Sequence, residues 1–96
     1  MSKTSFEWDE RKDAANRRKH GVSFVLAQQA FLDERRVIAR DLAHGGDERR
    51  YYCIGRAGEG VLTVRFTLRG GRIRIIRAGY WRKGKRLYEE EDQLHG

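Results

Sequence analysis

An α+β fold, with two N-terminal helices packed on a mainly antiparallel four-stranded sheet and a C-terminal helix, is predicted by three features of this chain. Residues 9–32 read as two helices bracketed by capping residues. Residues 62–69 alternate between apolar and polar side chains and run directly into Gly70-Gly71. Residues 81–93 return to a helical pattern. An order of helix, helix, strands and helix favours one compact layer of antiparallel strands covered by helices. At 96 residues, without internal repeats or low-complexity tracts, the chain forms a single domain spanning 1–96.

Each element follows from local chemistry. Asp9 is an N-cap for a helix running to His20. Glu10 and Asp13 near its start, with Arg17, Arg18 and Lys19 near its end, complement the helix dipole, and Gly21 supplies the left-handed stop. Ser23 caps a second helix to about Leu32, whose Phe24, Ala27, Ala30 and Phe31 form an apolar stripe. Phe6 and Trp8 are expected in the core. Val37–Ala39 is a short strand, residues 41–48 a polar loop, and Arg50–Gly55 a second strand that turns at Gly58-Glu59-Gly60. Val61–Arg69 is the clearest strand, and Gly70-Gly71 is a two-residue hairpin signal. That turn fixes a register: Arg69 opposite Arg72, Leu68 opposite Ile73, Thr67 opposite Arg74 and Phe66 opposite Ile75. Ile76-Arg77 breaks the alternation, so the last strand ends or bulges there. The C-terminal helix starts basic and ends in Glu89-Glu90-Glu91-Asp92, against its dipole.

The charge is local. Of a formal net charge of +7, nine bases and no acid fall between residues 61 and 88. Within the hairpin one face is Leu, Ile and Phe, suited to packing on the helices. The other carries Arg65, Arg69, Arg72, Arg74 and, past the break, Arg77. Like charges set across strands oppose one another unless an anion lies between them. Such a face suits a phosphate backbone. Tyr80 and Trp81 beside Arg82-Lys83 combine rings with cations, a pairing that stacks single-stranded bases; the same rings could instead anchor the last helix. RNA is therefore the expected ligand, and no membrane or cofactor is expected.

Cleavage of RNA without a metal needs a base for the 2′-hydroxyl proton, an acid for the leaving oxygen and cations about the phosphate. His20, His44, Tyr51, Tyr80 and Tyr88 are the candidate proton carriers. His20 could equally be a helix-terminal dipole partner. The single Cys53 excludes an internal disulfide and the Cys-x-x-Cys spacing of a zinc site. The N-terminus lacks the apolar segment of a signal peptide, and no apolar run approaches the roughly 20 residues of a membrane span, so a cytoplasmic location is expected.

Several motifs, in order along nearly the whole chain, resemble the BrnT toxin family. They are Phe6-Glu7-Trp8-Asp9, Lys19-His20-Gly21-Val22-Ser23-Phe24, Phe31-Leu32-Asp33, His44…Glu48…Arg50, Ile54-Gly55, Arg74-Ile75-Ile76 and Tyr88-Glu89-Glu90. The resemblance departs where the family's usual Ser-Ala-Arg reads Arg77-Ala78-Gly79. It implies a RelE-like fold and a ribonuclease toxin of a type II toxin–antitoxin pair that inhibits translation. It further implies a BrnA-like antitoxin with a ribbon-helix-helix part, a hetero-oligomer with it, and operator DNA bound only through that complex. His20, His44, Arg50, Arg74 and Tyr88 are the motif positions it carries over. Beside them, Arg65, Arg69, Arg74 and Arg77 would hold phosphate, with His20 or His44 moving protons and Tyr88 in reserve. Alternation turns Arg50 toward the helices with Tyr52 and Ile54, where it would pair with a buried acid such as Glu7. The rival reading is a non-catalytic toxin or a basic RNA-binding module.

Overall fold

The computed structural model describes residues 5–42 and 48–95, with side chains to 92. Strand β1 (Phe6–Glu7) leads into helix α1 (Glu10–His20). A single helical turn, α2 (Phe24–Ala27), continues as a 3₁₀ segment (Gln28–Leu32). Four strands follow, β2 (Val37–Asp41), β3 (Arg50–Ala57), β4 (Gly60–Arg69) and β5 (Arg72–Gly79), and then helix α3 (Arg82–His95).

The capping chemistry is as expected. Asp9 accepts the Arg11 N–H, Ser23 accepts the Leu26 N–H, and Gly21 sits at φ 68° with its N–H on the Arg17 carbonyl. Gly70 and Gly71 take φ 55° and 78° and close the β4–β5 hairpin, and all four expected cross-strand pairs are present. Arg65 pairs with Arg77 and Phe66 with Ile75, so Ile76 is the extra residue of a β-bulge.

Two features correct the expected sheet. It has five strands in the order β1-β5-β4-β3-β2, and it is mixed, because β1 runs parallel to β5. Two residues are too few for an alternation to show in sequence. What holds them is tertiary: Phe6 meets Phe31 edge-on, and Glu7 bonds Arg74 across the strand pair.

The sheet is covered on both faces. Leu62, Val64, Phe66, Cys53, Ile75 and Ala78 pack against Val22, Phe24, Ala27 and Ala30, with Phe6 and Trp8 at the margin of that core as expected. Gly55 lets the 3₁₀ backbone approach, since a Cβ there would lie 2.4 Å from the Ala30 carbonyl oxygen. On the opposite face Ile54, Val61 and Tyr88 form a second, smaller core with Val37 and Tyr52. Gly84 seats α3 there; a Cβ on it would fall 1.8 Å from Thr63 Oγ1.

This second core reverses the side expected for Arg50. The pairs Arg50–Thr67, Tyr52–Arg65 and Ile54–Thr63 put Arg50, Tyr52 and Ile54 on the α3 face, away from α2 and the 3₁₀ segment. Glu7 pairs instead with Arg74 and, more loosely, with Arg72.

Candidate active site

Cross-strand register arranges the α3 face in rows. One row reads Glu7, Arg74, Thr67, Arg50, Asp41, and the next reads Arg77, Arg65, Tyr52, Ala39. The third, Gly79, Thr63, Ile54, Val37, lies toward α3. The first two rows carry Arg74, Arg50, Arg77 and Arg65, and the Arg69–Arg72 pair beside the hairpin turn adds two more cations.

Most of those cations have acids of their own. Arg65 lies 2.6 Å from Asp41, with the two side chains 12% and 3% exposed. Arg69 pairs with Glu48 at 3.0 Å, Arg74 with Glu7 at 2.7 Å and Arg72 with Glu7 at 3.9 Å. The anions that relieve this face thus include the protein's own carboxylates, brought from β1, β2 and a residue two positions before β3. An evenly open arginine surface is not what the chain builds. The Arg69 and Arg72 pairs are well exposed and contribute little. The Arg65 pair is different. Tyr52 donates to Asp41 at 3.2 Å and accepts from Arg65 at 3.3 Å, and the guanidinium lies 5.6 Å from the Tyr52 ring centroid. Burial opposes the charge on Arg65, but the bonds to Asp41 and Tyr52 outweigh it and raise its pKa. It is a fixed positive charge.

Beside this row a cleft of about 340 Å³ opens between α1 and the sheet. Lys12, Ala15, Asn16, Lys19 and His20 line one side, and Arg50, Arg65, Ile76 and Arg77 the other. Its geometry follows from the edge of β5. Strand β1 pairs only with Ile73 and Arg74, leaving the rest of that edge to α1. Buried Asn16 accepts the Ala78 N–H at 3.2 Å and donates to the Ala78 and Val22 carbonyls at 2.9 and 2.8 Å. These bonds dock α1 beside the bulge, and the bulge places Arg77 level with Arg65. Among the described residues no carboxylate lines the cleft. Among the described residues, Arg50, Arg77, Lys12 and Lys19 have no acid within ion-pair distance.

His20, Arg50, Arg65 and Arg77 are therefore brought together. Lys12, Asn16 and Lys19 were not anticipated, yet with Ala15 and His20 they recur at helical spacing and mark one face of α1. Asp41 and Tyr52 were also missed; nothing local in sequence ties them to Arg65. His44 lies outside the described residues.

Other expected site residues lie elsewhere. Arg74 is held by Glu7 and does not line the cleft. Tyr88 is buried under α3 and donates to Asp33 at 2.7 Å. It packs at the Val61 end of β4, and Thr67 beside Arg74 lies six positions along the strand from Val61, about 20 Å. Burial and the bond to Asp33 raise the Tyr88 pKa. Burial pushes Asp33 upward, but N–H groups of Arg56 and Arg35 and the Tyr88 hydroxyl hold it below the ordinary carboxylate value. Cys53 is fully buried, its thiol pushed up to about 12 by desolvation. Tyr51 is stacked on Phe66 beside the larger core.

Tyr80 and Trp81 divide the two roles expected of them. Tyr80 is 45% exposed, but its hydroxyl donates to the Ala57 carbonyl at 2.9 Å. Trp81 is half-buried, meeting His20 edge-on with ring centroids 5.2 Å apart. Arg82 lines an outer groove with both rings and Lys85, and exposed Lys83 borders a separate pocket under α3. Asp92 pairs with Arg35, which gives the acidic end of α3 a local partner. Among the described residues no group of three or more His, Cys, Asp or Glu could hold a metal ion, and no helix is long and apolar enough to cross a membrane.

Residues 8–84 match the family model described as a ribonuclease toxin, BrnT, of a type II toxin–antitoxin system. No curated protein matches the chain.

Proposed function

The chain belongs to the BrnT family of ribonuclease toxins of type II toxin–antitoxin systems, and from that premise we propose that it is a metal-independent endoribonuclease acting through the His20 cleft. The observation that carries the reading is the meeting of one imidazole with three arginines and two lysines in a space that no acid lines among the described residues. A phosphodiester entering there exchanges water for cations at fixed positions. In the reaction the 2′-oxygen attacks the adjacent phosphorus, the 5′-oxygen leaves, and a 2′,3′-cyclic phosphate remains.

His20 is the proton carrier of the cleft, imidazole being the side chain best suited to general acid–base work near neutral pH. Arg50 and Arg77 contact the phosphate oxygens as negative charge grows on them. Arg65, clamped by Asp41 and Tyr52, supplies a permanent positive field behind them. Arg69, Arg72 and Arg74 exchange their carboxylate partners for the flanking backbone of a longer RNA, while Arg82 and Lys83 extend the track along α3. The Trp81 ring fixes the His20 imidazole from its edge.

The biological setting proposed is an mRNA interferase that inhibits translation, neutralised by a BrnA-like antitoxin whose ribbon-helix-helix part takes the complex to operator DNA. End-labelled RNA incubated with purified protein in excess EDTA tests the chemistry. Fragments ending in 2′,3′-cyclic phosphate are expected. RNA that is retarded on a gel but never cut would replace the enzyme reading with the binding-module reading.

A further inference from the structure

A second space adjoins the cleft and has no role so far. It is a pocket of about 220 Å³ between α3 and the sheet, lined by Tyr52 and Ile54 of β3, Ala39 of β2, Thr63 of β4, and Trp81, Lys83, Gly84 and Leu87 at and within α3. Its volume is below the roughly 300–1,000 Å³ of ordinary small-molecule sites. One flat ring suits it better than a larger ligand.

Three observations converge on what that ring is. The lining is aromatic and aliphatic, with a cation, Lys83, exposed beside it. Each of its two aromatic residues also touches a residue of the catalytic cleft: Tyr52 lies against the Arg65 guanidinium, and Trp81 meets His20. Finally, the buried Thr63 hydroxyl, which has no hydrogen-bond partner among the described residues, lies in the floor against Gly84. A ligand that fills both spaces carries a phosphate and, one sugar away, a flat heteroaromatic ring with polar edges.

We propose that the Trp81–Tyr52 pocket is a nucleobase subsite, which receives one unpaired base of the RNA whose phosphate lies in the His20 cleft. The proposal rests on the ribonuclease reading and deepens it. The base stacks on aromatic side chains, an interaction that every base can make and that needs a single-stranded substrate. Because the same two rings steady Arg65 and His20, occupation of the pocket aligns the cleft as well as anchoring the strand. Base pairing in the substrate would keep the ring out, so the enzyme selects unpaired RNA by shape.

The test separates binding from cleavage. A short single-stranded RNA carrying 2′-O-methyl groups throughout cannot be cut, and an abasic residue is moved through it one position at a time. With the parent protein, one position is expected to weaken binding roughly tenfold or more, and the others much less. Ala39→Leu, which fills the pocket while leaving every cleft residue in place, is expected to bind the intact RNA as weakly as the parent binds that abasic RNA. It should show no further loss at that position. Ala39→Ser should keep the parental pattern. A flat abasic scan by the parent, with unmodified RNA still cut, would overturn the subsite and leave the ribonuclease reading standing. If the parent neither binds nor cuts any RNA, the ribonuclease reading falls and the subsite with it.

Discussion

The protein builds the same three side chains, an aspartate, a tyrosine and an arginine, into two sites on one sheet and wires them differently. At Asp41 the carboxylate binds the guanidinium of Arg65 itself, with Tyr52 bonded to both. At Asp33 the carboxylate takes the Tyr88 hydroxyl and the main-chain N–H groups of Arg35 and Arg56. The Arg56 guanidinium is left over the Tyr88 ring at 5.7 Å. The first arrangement fixes a side chain that lines a cleft. The second ties the end of the 3₁₀ segment to β3 and α3, and so fixes elements. Identical chemistry serves the site at one end of the sheet and the fold at the other, because what the carboxylate grips decides what is held.

Substitutions can break that contrast. The largest effect is expected from Asp41→Asn, which strands the charge of Arg65 in a nearly buried position. Removing one partner of a buried pair costs about 3–5 kcal/mol, a large share of the roughly 5–15 kcal/mol of a small domain. Urea unfolding would read the loss, and cleavage should fall with it. Arg77→Ala separates function from fold, since Arg77 is exposed and has no acid within ion-pair distance among the described residues. Cleavage should drop on the order of 10²-fold while the urea midpoint stays within error of the parent.

Tyr88→Phe should do the reverse, costing about 1–2 kcal/mol of stability with kcat per folded molecule unchanged. Its pH dependence carries a sign. The folded Asp33 pKa lies below 3.8, so its contribution is full above that value and is lost as pH falls through the lower folded value. The folded Tyr88 pKa lies above 10.0, so its contribution is full below that value and is lost as pH rises through the higher one. Stability curves from pH 2 to 11 should lose the alkaline fall in Tyr88→Phe. Smallest of all, Arg69→Ala removes an exposed pair and should change stability by less than about 0.5 kcal/mol, while lowering the salt dependence of RNA binding slightly.

What was legible in sequence was local. Caps at Asp9 and Ser23, the stop at Gly21 and the Gly70-Gly71 hairpin with its register all rest on a few neighbouring residues, and all are present. The bulge at Ile76 also showed, as a break in alternation. What was hidden depended on distant partners. Alternation tells which residues of β3 share a face but not which face. Because α3 gives the far side its own apolar cluster, Tyr52 and Ile54 read as if they faced the other core, and Arg50 went with them. The acids that answer the arginines come from Glu7, Asp41 and Glu48, well before the basic stretch. The cleft needed α1 docked by Asn16 against the bulged edge, a contact spanning sixty-two positions of the chain. His20, Arg50, Arg65 and Arg77 could be named, but not why they meet.

The account turns on that meeting, and His20→Ala tests it most directly. Initial rates of cleavage of a labelled single-stranded RNA would be measured for parent and variant, with and without added imidazole. A fall of about 10²–10⁴-fold, partly restored by imidazole, is the expected result. Cleavage by His20→Ala at the parental rate would contradict it, and the catalytic proton carrier would have to be sought outside this cleft.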